Sequence, residues 1–232
     1  MSSSMPHIEA RKRQGQDGPT EKMREYLEVI YYLSTRSEPV IAARLAEWMR
    51  VTPPTVTNIL KRMEDKHYIT RDARGEIKLT PEGFEVAENV VRRHRILERF
   101  LVDVMGIPWH AIHEEAVRLE PALSPLMEER IEALVSGVTT CPHGNPIPGT
   151  GSLPGGTHRL IQAEVGHTFT IRRIAEEAEE DTDLMRYLQE GGLVPGERFD
   201  VSGSSPAFGT TLSRGGRSIT LTPQIAALLW GE

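Results

Sequence analysis

Apolar residues in "TEKMREYLEVIYYLSTR" recur at helical spacing, with Tyr26, Leu27, Ile30, Tyr31 and Leu33 in register and Thr20 placed to cap the start. "VIAARLAEWMR" predicts a second, shorter helix with Ile41, Leu45 and Trp48 or Met49 on one side. In "VTPPTVTNILKRMEDKHYI", Thr52 is positioned to cap, Pro53 or Pro54 suits the first turn, and Val56, Ile59, Leu60 and Met63 face inward. The period then changes. "YITRDARGEIKLT" alternates on both sides of an "ARG" turn, the pattern of a β-hairpin.

Three helices followed by a hairpin is the order of a winged helix-turn-helix, expected over residues 20–80 behind a polar, aperiodic tail at 1–19. Helical spacing returns at Thr80 and Pro81, and a long helix is expected to run to about Met105. "IPWHAIHEEAVRLE" gives another, stopped by Pro121. "SPLMEERIEALVSG" gives a third, capped by Ser124, with Pro125 in its first turn and Gly137 at its end. This helical region covers 81–138. Composition shifts at 138–156, "VTTCPHGNPIPGTGSLPGG", a Pro- and Gly-rich stretch whose residues 139–156 read as a linker or extended arm. Beyond it, "HTFTIRRI", "ERFDVSG", "GTTLSR" and "RSITLT" are short strands, interrupted by one helix, "DTDLMRYLQEG". They predict a small β-barrel over 157–232. The fold class is therefore mainly α with a small β part.

Composition narrows the setting. Hydrophobic residues make up 38% of the 232, enough for a core, and no apolar run approaches a membrane span. The N-terminal stretch lacks an apolar signal region, and no membrane partner is expected. Cys141 is the single cysteine, which excludes an intrachain disulfide and fits a reducing, cytoplasmic setting. The net charge of −6 is unusual for a constitutive nucleic-acid binder, which carries basic residues to displace counterions from phosphate. A DNA-binding role would need clustered basic residues, or positive charge from elsewhere.

The helix-turn-helix supplies such a cluster. The first residues of its second helix enter the major groove, and here they are Thr52, Pro54, Thr55 and Asn58. Asn58 matches an adenine edge and Pro54 a thymine methyl. Arg62, Lys61, Arg44 and Arg74 are placed for phosphates. No aspartate or glutamate interrupts residues 51–60.

The run "VVRRHRILERFLVDV" sets His94 and Glu98 four residues apart, so both project from one helical face. Alone, that spacing more often marks a solvated surface pair than half a metal site. Cys141 and His143 stand two apart in the linker with no second pair, and are assigned no metal role. "HEEAV" lacks the second histidine of a zinc protease helix.

Taken together, "EYLEVIYYL", "PPTVTNILKRMEDKHYI", "LTPEG", "RRHRILERFL", "IHEEAVRLE" and "CPHGNPIPG" resemble the metal-dependent repressors of the diphtheria toxin repressor type, from residue 20 onward. The resemblance implies a winged helix-turn-helix, a helical dimerisation and metal-binding domain, and an SH3-like (FeoA-like) C-terminal barrel. It implies an ancillary metal site of His94, Glu98, His113, Glu176 and Glu179. It also implies a primary site drawing on Glu25, the Val117 carbonyl and Glu120. There the chain departs from the family, with Val117 in place of a cysteine or glutamate and Pro121 in place of a histidine. Imidazoles with carboxylates suit Mn²⁺ or Fe²⁺, manganese being favoured. The expected function is a homodimeric, metal-responsive repressor on a pseudo-palindromic operator, controlling genes of metal homeostasis. Two rivals remain: a regulator of the same fold that no longer needs metal, and a metalloenzyme using the His94 cluster.

Overall fold

The computed structural model describes residues 18–35, 39–150 and 156–232. The expected tail at 1–19 lies outside the described residues except for its last two. The chain divides into two compact units, Met1–Val90 and Val91–Glu232.

The first unit contains α1 (Glu21–Ser34), α2 (Ala42–Trp48), α3 (Pro53–Asp65) and a hairpin of β1 (Ile69–Arg71) and β2 (Ile77–Leu79). Thr20 caps α1 as the sequence predicts, its hydroxyl accepting from the Met23 amide at 3.3 Å. Thr52 occupies the N-cap of α3, but its hydroxyl pairs with the Thr55 hydroxyl at 2.9 Å rather than with a backbone amide. The core forms where the periodicity places it. Tyr26, Leu27, Ile30, Leu45, Val56, Leu60 and Met63 are buried together, with Ile69 and Ile77 of the hairpin closing one side. Burying each such side chain contributes about 1.5–3 kcal/mol, so the inward stripes hold the three helices to one another. This is the winged helix-turn-helix that the pattern predicts.

α4 (Pro81–Asp103) begins in the first unit and continues into the second. Gly83 in its first turn is required by packing: a Cβ there would lie 1.8 Å from the Tyr68 carbonyl oxygen. α4 ends two residues short of the expected Met105. α5 (Ile112–Leu119) follows, and Pro121 ends it as expected, within a short 3₁₀ turn over Glu120–Ala122. α6 (Pro125–Leu134) is capped by Ser124, whose hydroxyl accepts from the Met127 amide at 3.3 Å.

The rest of the second unit is a six-stranded antiparallel sheet. Its strands are β3 (His158–Arg159), β4 (Thr168–Ile174), β5 (Arg198–Ser205), β6 (Gly209–Arg214), β7 (Arg217–Leu221) and β8 (Leu229–Gly231), in the order β3-β8-β4-β5-β6-β7. Two short helices follow β4, α7 (Glu176–Glu179) and α8 (Thr182–Glu190), and α9 (Pro223–Ala226) precedes β8. Phe169, Ile171, Val201, Leu212 and Leu229 form the core of the sheet. Among the described residues, no helix is long and apolar enough to cross a membrane.

Residues 139–150, expected as linker or arm, are packed rather than free. Cys141, His143, Asn145 and Ile147 are buried. Arginines spaced along one side of α4 hold the backbone of this arm. Arg92 donates to the Pro148 carbonyl at 2.8 Å, Arg95 to the Pro146 carbonyl, and Arg99 to the carbonyls of Thr140 and Cys141 at 2.7 and 3.1 Å. The Trp109 indole N–H donates to the Pro142 carbonyl at 3.0 Å. On the other side, the Ile174 amide donates to the His143 carbonyl at 2.8 Å. Gly144 adopts φ +88°, and a Cβ there would stand 2.1 Å from the Arg172 carbonyl. The arm thus runs between α4 and β4 with its polar backbone satisfied.

Candidate metal centre

Helical spacing puts His94 and Glu98 on one face of α4, and that face is buried: His94 is 2% exposed and Glu98 0%. His94 Nε2 lies 3.2 Å from Glu98 Oε1 and 3.1 Å from Nδ1 of His113 on α5. Glu179, the last residue of α7, brings its Oε2 to 3.4 Å from His113 Nδ1. The arm adds His143, whose Nδ1 is 3.5 Å from Glu98 Oε1 and 3.2 Å from Glu179 Oε1. Cys141 joins the same carboxylate. Ligand atoms of His94, Glu98, His113 and Glu179 lie within 4.8 Å of one another, as do those of Glu98, Cys141 and His143.

Four segments therefore deliver three imidazoles, two carboxylates and a thiol to one buried place. Several of these polar atoms are buried with no hydrogen bond of normal geometry: Glu98 Oε2, His113 Nε2 and both ring nitrogens of His143, whose Nδ1 faces its carboxylates only off the hydrogen-bonding direction. Leaving such groups unpaired costs roughly 1–3 kcal/mol each, more for charged ones. A divalent cation would satisfy them together, and the donor set fits one.

The electrostatics point the same way. Burial pushes the Glu98 carboxyl up, but the His143 and His94 imidazoles, with hydrogen bonds from His113 and His143, hold it well below the usual carboxylate range. Burial lowers the His113 imidazole, and hydrogen bonds to Glu179, Glu180 and Glu98 raise it well above its ordinary value. Burial likewise opposes protonation of His143, which the charges of Glu179 and Glu98 outweigh. Protons on the imidazoles thus offset the carboxylates when no cation does so. The Cys141 thiol is pushed up to about 11 by burial and by Glu98, with His143 offsetting part of the rise.

Glu176, the other carboxylate expected from "IAEEAEED", does not face this cluster. Its Oε1 accepts from Arg95 Nη2 at 2.8 Å, and its Oε2 lies 3.8 Å from Arg173. Cys141 and His143, assigned no metal role from their spacing, are brought to the cluster by the arm: His143 faces both Glu98 and Glu179, and Cys141 stands beside Glu98.

The residues expected for a second site are placed differently. Glu25 is half-exposed and bonded to Lys22 at 2.6 Å. Val117 is 52% exposed on α5. Glu120 lies 3.7 Å from Arg93 Nη1, and Arg93 Nη2 lies 3.1 Å from Glu128. On the first unit, Thr52, Pro54, Thr55, Asn58 and Arg62 are exposed along α3, and Arg44 is half-buried on α2.

Comparison with known proteins places this architecture. Residues 19–75 match the model of the iron-dependent repressor N-terminal DNA-binding domain. Residues 80–149 match the iron-dependent repressor metal-binding and dimerisation domain, and 158–232 the FeoA domain. The iron-dependent repressor IdeR of Mycobacterium tuberculosis is 34% identical over 213 residues, covering 87% of this chain and 92% of that protein. The chain belongs to the iron-dependent, or diphtheria toxin, repressor family. The diphtheria toxin repressor of Corynebacterium diphtheriae is 30% identical over 210 residues, covering 87% and 92%. A solved manganese-dependent transcriptional repressor in complex with manganese superposes with a TM-score of 0.80 at 30% identity, covering 90% of this chain and 98% of that one. Members of this family are metal-responsive, DNA-binding transcriptional repressors, not enzymes, and this chain is one of them. The metalloenzyme rival is set aside.

Proposed function

We propose that this repressor senses Mn²⁺ or Fe²⁺, with manganese favoured, through the buried cluster of His94, Glu98, His113, His143 and Glu179. The observation that carries the reading is the set of orphaned, buried ligand atoms converging from α4, α5, the arm and α7. Imidazole and carboxylate donors suit these ions. Cys141 is held as a neutral thiol, its pKa near 11, so a hard cation leaves it protonated while a soft one must ionise it at a cost. When bound, the cation supplies positive charge that no side chain of the cluster carries permanently. His113 and His143 would release their protons to solvent as it binds, leaving their ring nitrogens with the Glu98 and Glu179 carboxylates to hold it.

The protein acts in the cytoplasm as a homodimer on a pseudo-palindromic operator, with Asn58, Pro54 and Thr55 at base edges and Arg62 and Arg44 at phosphates. If metal favours the DNA-competent state, operator DNA tightens metal binding by the same factor. Homeostasis genes for the sensed metal are the expected targets.

A second metal position built from Glu25, the Val117 carbonyl and Glu120 has less support. Lys22 and Arg93 already accompany its two carboxylates. Titrating Mn²⁺, Fe²⁺ and Zn²⁺ against operator binding tests the proposal. Mn²⁺ or Fe²⁺ is expected to tighten operator binding; because Zn²⁺ binds nitrogen and oxygen donors more tightly than either, the readout is the operator affinity reached at saturation rather than the free concentration needed. Equal operator affinity in chelator and in saturating Mn²⁺ would promote the metal-independent rival instead.

A further inference from the structure

Asn145 is fully buried two residues beyond His143. Its Nδ2 donates to Glu179 Oε1 at 2.9 Å and to the Ile174 carbonyl at 2.9 Å. Its Oδ1 accepts from Arg173 Nη1 at 3.3 Å. Two acceptors at the nitrogen end and a donor at the oxygen end fix the sense of the amide. Both amide protons are used.

The consequence falls on Glu179. This residue ends a helix of only four residues, so its backbone alone gives the carboxylate little support. The amide proton occupies one lone-pair direction of Oε1, while Oε2 turns toward His113. A carboxylate tied in this way is held in one orientation, Oε2 toward His113 and Oε1 toward His143, instead of rotating freely. The same amide anchors the arm to β4 through the Ile174 carbonyl, which holds His143 in reach of Glu179. One side chain thereby fixes the separation of two donors that come from different segments.

We propose that Asn145 is a positioning residue of the metal centre, setting the orientation of Glu179 and the approach of His143, with Arg173 setting the orientation of Asn145 itself. The role rests on the metal reading of the cluster. It explains why a neutral amide stands where a charged donor such as lysine would compete with the cation, and where a carboxylate would repel Glu179.

The test is Mn²⁺ affinity by calorimetry and the visible spectrum of the Co²⁺ form, in Asn145→Ala, Asn145→Leu and Arg173→Met, all as full-length protein. Melting of the metal-free form is recorded beside them. The expected result is Mn²⁺ affinity lowered about 10–100-fold in both Asn145 variants, with a shifted Co²⁺ ligand-field spectrum. Arg173→Met, which removes no cluster donor, gives a smaller loss in the same direction and decides the matter if the Asn145 variants do not fold. A lower metal-free melting temperature with unchanged Mn²⁺ affinity and Co²⁺ spectrum would reduce Asn145 to a packing residue and overturn the proposal. Parent protein that binds no Mn²⁺ would overturn the metal centre itself, and this role with it.

Discussion

Glu98 and Glu120 both lie in helical segments of the second unit, and both were singled out from the sequence as carboxylates for metal. Glu98 is fully buried, with one oxygen lacking a partner and three imidazoles nearby. Glu120 has a guanidinium at 3.7 Å, and the same Arg93 also reaches Glu128. A permanent cation beside a carboxylate lessens what a dication can add there, whereas titratable imidazoles yield their protons when one arrives. On the proposed reading, charge compensation by groups that can discharge distinguishes the metal cluster better than the number of carboxylates does. Glu25 falls on the Glu120 side of this contrast, bonded to Lys22.

The contrast is sharpest where a cluster donor is removed. Glu98→Gln and His143→Ala should each lower Mn²⁺ affinity by more than ~100-fold, beyond the range typical of outer partners, measured by calorimetry. Loss in Glu98→Gln alone would return His143 to a purely structural place. Next comes pH. The His113 and His143 imidazoles are raised above their ordinary value, so they are protonated in the metal-free cluster and cation binding must displace those protons. Mn²⁺ affinity should fall as pH is lowered, by up to about a hundredfold per unit where both imidazoles are protonated, with proton release seen as a buffer-dependent heat. An affinity flat across that range would contradict the charge exchange.

Smaller effects separate the two units. Asn58→Ala should lose about 1–3 kcal/mol on the correct operator and relax preference at one base pair, leaving Mn²⁺ affinity unchanged. Arg62→Ala should weaken all sequences alike and shallow the salt dependence of binding. Smallest of all, Glu25→Ala and Glu120→Gln should change Mn²⁺ affinity by less than about threefold, since Lys22 and Arg93 already stand beside these carboxylates. A second metal per protomer that disappears in Glu120→Gln would restore the weaker site to importance.

What the chain disclosed in advance follows from which interactions have a period. Val56, Ile59, Leu60 and Met63 repeat at helical spacing because burial of one helix face repeats, and the reading domain was legible for that reason. His94 and Glu98 were visible as an i, i+4 pair on such a helix. Cys141 and His143 were not, because the arm that carries them has no repeat of its own. Side chains of Arg92, Arg95, Arg99 and Trp109 fix its backbone, and each reaches it from a distant position in the chain. Glu176 and Glu179 illustrate a different limit. "AEEAEE" offers four glutamates in six residues, and spacing does not say which faces the imidazoles. Packing decides: Arg95 engages Glu176, and Asn145 turns Glu179 inward.

If the buried cluster couples a divalent cation to DNA binding through Glu98, operator affinity in chelator and in saturating Mn²⁺ must separate the parent from Glu98→Gln. The parent should bind the operator far more tightly with Mn²⁺, while Glu98→Gln should bind weakly under both conditions yet keep its fold by circular dichroism. Equal tightening of parent and variant by Mn²⁺ would contradict that coupling.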